Sequence, residues 1–310
     1  MKKKIAIAVD GSVHCGCAVR YAASLARTIP ELHYVLLNIQ PPVSQYLTQE
    51  ADSKPKARQA LRHLVAANEK NSLLLLEKAR GQLLQGGIDP ARVELRTRPR
   101  IDGVAQDILN VCQAAPFDAV VVGRRGLGHL QELLTGSVTS NLLAHSQWTP
   151  IWMADGEVPN DKIMLAADGS PNALRALDHL AFMLNGNPEA KLHIAHVKPG
   201  LSEIRAIDFD KEAMVAAEEV IAESNQRHME GFYAQALDVT SKSGLKASQL
   251  HFQTIENRFS IASAILDVAR EGHFGTIVLA RSGVPKSLFS GSVARKIIQK
   301  AHNSAVWLVP

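Results

Sequence analysis

Residues 120–152 read VVVGRRGLGHLQELLTGSVTSNLLAHSQWTPIW. Val120-Val121-Val122 is a short apolar, β-branched run of the kind that forms a strand buried on both faces of a parallel sheet. It stops at Gly123. Gly126 follows after two residues, and Gly136-Ser137 follows nine residues later, opening a helical stretch that reaches His145. Glycines let a backbone pass close to a ligand. A helix start offers unpaired N–H groups and the positive end of a dipole. A strand, a glycine loop and a helix start in this order make a candidate phosphate cradle, with Arg124 and Arg125 adding positive charge beside it. No Gly-Lys-Ser/Thr follows, so the stretch is not a P-loop. The two glycine groups stand too far apart for a GxGxxG dinucleotide fingerprint. The bland alternative is that the glycines serve a tight turn and a close helix–strand packing.

The chain around this stretch is a repeat. KIAIAVDGS from Lys4 returns as KIMLAADGS from Lys162, an offset of 162 − 4 = 158. FDAVVVGRRG from Phe117 returns as FGTIVLARSG from Phe274, offset 157. Gly136-Ser137-Val138 returns at Gly291, and Ile151-Trp152 at Val306-Trp307, both at offset 155. Four matches in order at a nearly constant, domain-sized spacing indicate a tandem duplication rather than a solenoid. The polar stretch Asp155–Asn160, with Gly156 and Pro159, is the expected linker. Domains are therefore expected over 1–155 and 160–310.

Each half alternates strand and helix. In the first, strands are expected over 5–9, 32–39, 93–97, 119–122 and 151–153. Helices are expected over 18–28, 56–85, 102–114 and 136–145. The second half repeats the series, with a long helix over 210–242. Such alternation implies an α/β fold of two doubly wound, five-stranded parallel sheets with right-handed crossovers. In sheets of this kind ligands sit beyond the carboxyl ends of the strands, at the switch in strand order. Asp10, Asn38-Ile39 and the Gly123 loop all lie at such ends.

At 310 residues, with 46% apolar and 21% charged residues, the chain has an ordinary globular balance. A net charge of +4, with no basic block longer than Lys2-Lys3-Lys4, gives no ground for expecting nucleic acid. Three cysteines argue against a disulfide framework and for a reducing compartment. The apolar run after those lysines ends at Asp10, too early for a secretory signal, and no window is long enough to span a membrane. A cytoplasmic location is the expectation. His14-Cys15-Gly16-Cys17 lacks a second ligand pair and is read as small residues opening a helix rather than as a zinc site. His129 and His145 are read as surface or packing residues.

The spacing Gly123-x2-Gly126-x9-Gly136-Ser137, followed by Val138 and Thr139, resembles the ATP-binding motif of the universal stress protein family. The resemblance covers both halves, as in tandem members with two such domains in one chain. It implies strand order 3-2-1-4-5 and an adenine nucleotide at the rim. It also implies contacts along the nucleotide from Ala8, Val9 and Asp10, and a backbone contact to adenine at Ile39. Gly123, Gly126, Gly136 and Ser137 would hold phosphate and ribose. Val122, Arg125, Val138 and Thr139 complete the candidate set. By its own chemistry Asp10 is a good turn residue. Its carboxylate is also the candidate for a ribose hydroxyl, or for a Mg2+ shared with phosphate. Ser137 doubles as an N-cap.

In the second half Ala280 stands where Gly123 stands in the first, and seven residues rather than nine separate Gly283 from Gly291. The first half is therefore expected to bind nucleotide, the second weakly or not at all. The apolar last strands, Ile151–Met153 and Val306–Val309, invite edge pairing. Between the halves this would make an intramolecular pseudo-dimer, and between chains a homodimer. Three functions stay open: an ATP-binding stress-response or signalling module, a nucleotide-free interaction scaffold, and a slow ATPase. No Ser-His-Asp signature or general base is evident, so no catalytic residue is assigned.

Overall fold

The computed structural model describes residues 2–115, 117–124, 137–159, 162–199, 211–256, 260–281 and 292–310. It divides into two compact units, one built from Met1–Ala26 with Glu31–Asp155, the other from Arg27–Pro30 with Gly156–Pro310.

The first unit runs β1 (Lys3–Ala8), α1 (Val13–Ser24), β2 (Leu32–Ile39), α2 (Gln45–Ser53), α3 (Pro55–Gln85), β3 (Val93–Arg98), α4 (Val104–Ala114), β4 (Ala119–Gly123), α5 (Ser137–His145) and β5 (Ile151–Ala154). Its strands lie in the order β3-β2-β1-β4-β5, every neighbouring pair parallel. β1, β2 and β4 are buried along nearly their whole length, which is why their central residues read as apolar runs. β3, at the edge, carries Glu94, Arg96 and Arg98 instead, charges that discourage further strand pairing.

The second unit runs β6 (Ile163–Ala166), α6 (Pro171–Leu184), β7 (Leu192–Val197), α7 (Lys211–Lys242), β8 (Leu250–Ile255), α8 (Ile261–Glu271), β9 (Thr276–Ala280), α9 (Ser292–Lys300) and β10 (Ala305–Val309). Its order, β8-β7-β6-β9-β10, is the same plan and is again parallel throughout. Among the described residues no helix is long and apolar enough to cross a membrane.

Two elements differ from the sequence expectation. α1 starts at Val13 rather than near residue 18, because Ser12 caps it, its Oγ accepting from Cys15 N at 3.2 Å. The polar stretch after Pro41-Pro42 contains α2, a helix with a single buried residue, Ala51. It leans on α3, where the Arg58 guanidinium donates to the carbonyls of Ala51 and Asp52.

The Asp-Gly-Ser turn after the first strand is built twice in the same way. Asp10 Oδ1 accepts from Ser12 N at 2.9 Å, and Asp168 Oδ1 from Ser170 N at 3.0 Å. The glycine between them has φ +77° at Gly11 and φ +80° at Gly169, a conformation costly for any side chain.

Candidate functional site at the carboxyl rim of the first unit

The β1–β2 register places Ala8 beside Leu37, and Val9 N extends the ladder by donating to Leu37 O at 2.8 Å. The ends of β1, β2 and β4 therefore meet at one rim, where they bound a cavity of about 200 Å3. Ala8, Val9, Asp10, Ile39, Val122, Gly123, Val138 and Thr139, all candidates from the sequence, line it. Arg125, Gly126 and Gly136 lie outside the described residues, as does His129. Ser137 opens α5, with Val138 and Thr139 in its first turn.

The lining includes residues that sequence reasoning did not assign to a site: Ser12, His14, Cys15, Leu37, Val104 and Ile108. Val104 and Ile108 stand four apart at the start of α4, on one helix face. With Val9, Ile39 and Val122 they make an apolar-walled slot. Asp10, exposed at its mouth, supplies a carboxylate. Apolar walls with few polar groups at one end are the usual make-up of a small-molecule pocket.

Gly123 sits where β4 passes closest to α1. A Cβ built there would fall 2.1 Å from His14 O and 2.9 Å from Cys15 N. The glycine is thus required for strand–helix packing as well as lining the cavity. Its neighbour Arg124 is 3% exposed, with its guanidinium 3.8 Å from Asp155 Oδ2. Burial lowers the Arg124 pKa and the Asp155 carboxylate opposes that shift. The charge expected beside the loop is therefore directed at Asp155. Thr139 Oγ1 reaches back to Gly123 O at 3.4 Å and ties α5 to the end of β4.

Behind the cavity wall runs a buried hydrogen-bond chain. Val9 O can only accept, so the Asn38 amide nitrogen faces it, at 2.6 Å. Asn38 Oδ1 in turn accepts from Ser72 Oγ of α3 at 2.5 Å. The single Ser72 hydrogen is then used, so across the 2.6 Å contact with Thr97 the threonine hydroxyl is the donor. Gln40 Nε2 completes the chain by donating to Thr97 Oγ1 at 2.9 Å. The long helix is thereby anchored to the cavity rim. Leu75, one turn-face away, covers the Gly11 turn, its Cδ2 2.8 Å from where a Gly11 Cβ would lie.

The second unit keeps the anchor with different groups. His196 takes the place of Asn38, its Nδ1 3.0 Å from Ala167 O and its Nε2 3.1 Å from Asn225 Oδ1 on α7. Ala280 replaces Gly123, and Asn172 Nδ2 donates to Arg281 O at 2.6 Å, joining the start of α6 to the segment after β9. His228 covers Gly169 where Leu75 covers Gly11.

Cys15, Cys17 and Cys112 are all buried and unpaired, and burial raises the Cys15 and Cys112 thiol pKa values, the latter to about 12. Such thiols are poor metal ligands and nucleophiles. Among the described residues no three His, Cys, Asp or Glu side chains gather closely enough to hold a metal ion. His145 packs at its own helix end, Nδ1 2.9 Å from Asn141 O.

The sequence profile of the universal stress protein family matches residues 1–154 and again 159–310. The chain belongs to the universal stress protein family. It is a tandem member, with one such domain in each matched stretch. A universal stress protein of Mycolicibacterium smegmatis is 26% identical over 179 residues, covering 56% of this chain and 57% of that relative. The chain thus matches little more than half the length of that curated relative. A universal stress protein from Archaeoglobus fulgidus superposes with a TM-score of 0.63 at 17% identity, covering 99% of this chain and 97% of the other. A functionally unknown protein from Pseudomonas aeruginosa superposes with a TM-score of 0.56 at 16% identity, over 99% and 92% of the two chains. These similarities extend the universal stress protein fold along the whole tandem chain.

Proposed function

We propose that the first unit binds an adenine nucleotide at its carboxyl rim, and that the tandem protein acts as a nucleotide-dependent stress-response or signalling module. The observation that carries this reading is the cavity itself. It gathers eight candidate residues from four separated segments, in a slot with apolar walls and a carboxylate at its mouth. The adenine ring lies between Val9, Ile39, Val104, Ile108 and Val122. The phosphates extend toward the glycine stretch Gly123–Ser137, with Arg125, Gly126 and Gly136 contributing. Asp10 takes the ribose or a Mg2+ that travels with the phosphates.

The second unit binds nucleotide weakly or not at all in this reading. Ala280 in place of Gly123, the shortened loop after it and His196 in place of Asn38 support that asymmetry. This reading assigns the domains as 1–155, with the motif intact, and 160–310, with it degenerate. No catalytic residue is assigned in this reading, and hydrolysis of bound ATP is at most slow.

Thermal unfolding with and without ATP and Mg2+ tests the reading. Ligand at a hundredfold excess over its dissociation constant should stabilise the binding unit by about 2.7 kcal/mol. Val104→Trp, which fills the slot from a partly exposed helix start, should abolish the shift while leaving the ligand-free midpoint nearly unchanged. An ATP-induced shift that survives Val104→Trp would contradict it.

A further inference from the structure

The amino-terminal part of α3 projects from the first unit. Its buried residues, Ser72, Leu76, Ala79 and Leu83, all lie in the carboxyl-terminal half, and residues 55–71 contain none. A helical stretch of 17 residues spans about 25 Å and is marginal in water without tertiary support. α2 covers only one side of it. α7 of the second unit has the same character. Residues 216–228 hold no buried side chain, and packing begins at Met229, Phe232 and Ala236.

The two helices carry opposite net charge. α3 has six Lys or Arg residues against Glu69 and Glu77, a net +4, while α7 has six acidic residues against Lys211, Arg227 and Lys242, a net −3. On α3 the exposed row at four-residue spacing is Arg62, Ala66, Lys70, Leu74 and Lys78, with Leu74 60% exposed. On α7 exposed Glu219, Glu223 and Glu230 lie on a stripe of alternating four- and three-residue steps, through Gln226 and Tyr233, that leads to Leu237, which is 41% exposed, with Arg227 beside it. Rows at three- and four-residue spacing are the ridges by which helices interdigitate. Each row pairs one sign of charge with a leucine near its carboxyl end, and the two are complementary.

We propose that α3 of one chain docks along α7 of a second copy, the basic row against the acidic row and Leu74 and Leu237 against apolar surface of the facing helix. The duplication made this possible. Two helices in the same place in each repeat diverged to opposite charge, so that a chain presents both halves of the contact. If two copies engage each other reciprocally the contact closes as a dimer, and if not it grows as a chain of copies.

The test is sedimentation velocity over a range of protein concentration, at low and high salt. The wild type should self-associate, and raising the salt from about 50 to 500 mM should weaken association at least tenfold, as expected for exposed charges. Arg62→Glu with Lys70→Glu should abolish association, and so should Glu219→Lys with Glu223→Lys. The two doubly substituted proteins mixed together, or all four substitutions in one chain, should restore it. All four sites are exposed, and helix content by circular dichroism should not change. A wild type that stays monomeric at every concentration would overturn the proposal. So would association that resists the charge reversals, or that is lost with them and not restored by the swap.

Discussion

Ser72 Oγ lies 2.5 Å from Asn38 Oδ1, joining the long helix of the first unit to the residue that holds the Val9 carbonyl at the cavity wall. Both side chains are buried, at 2% and 6% exposure. Ser72→Ala leaves Asn38 Oδ1 and the Thr97 hydroxyl without this partner in a water-poor site. The expected cost is about 1–3 kcal/mol of stability in the first unit. Urea unfolding of the variant measures it. The double variant with Asn38→Leu should cost less than the sum of the two singles, because the groups act as one chain.

Gly123→Ala puts a methyl group 2.1 Å from His14 O, a backbone atom that cannot rotate away. The strand or the start of α1 must shift, and the expected destabilisation is about 2 kcal/mol or more. The same substitution in reverse at the matching position, Ala280→Gly, should be close to neutral, with a small loss from added chain freedom. Comparing the two unfolding midpoints checks this. A neutral Gly123→Ala would mean that the close approach is not a constraint.

His179 packs edge-on against Trp307, 6.1 Å between ring centroids, and burial lowers its pKa to about 4 from the ordinary value of 6.5. The folded imidazole is harder to protonate than the unfolded one, so unfolding takes up a proton between these two values. Stability is unaffected above about pH 6.5 and declines as pH falls toward 4, by at most about 3 kcal/mol. His193 adds to the same slope. Its pKa is lowered by burial, then by the stacked His251 ring at 5.0 Å and by Lys162 and Lys191. His179→Phe should flatten the pH dependence of the second unit's unfolding. An unchanged slope would assign it elsewhere.

Most of the fold was legible because its strands are buried on both faces and its turns are punctuated. Val120–Val122 and Asp10-Gly11-Ser12 each have one reading, and the repeat at Lys162 confirms the plan from within the chain. α2 was not legible. QYLTQEADS has no apolar stripe, since it buries only Ala51, and it forms against α3 rather than against a core. The true start of α1 was obscured by Gly16 and the two cysteines, although Ser12 was the cap signal.

The candidate site was legible where it is made of strand ends and Gly123. The roles of Val104 and Ile108 depend on how α4 crosses the sheet. The Ser72–Asn38 bond joins residues 34 apart and leaves no local pattern. Gly123 shows the limit in the other direction. A glycine at a strand end carries the same letter whether a ligand or a helix backbone lies against it, and here α1 does.

The decisive measurement is the stoichiometry of ATP binding by titration calorimetry on the purified full chain, with Val104→Trp alongside. The predicted result is one nucleotide per chain, with binding abolished in the variant. No heat of binding in the wild type would remove the nucleotide from the first unit and leave the scaffold reading in its place. Two equivalent sites per chain would contradict the asymmetry drawn from Ala280 and His196.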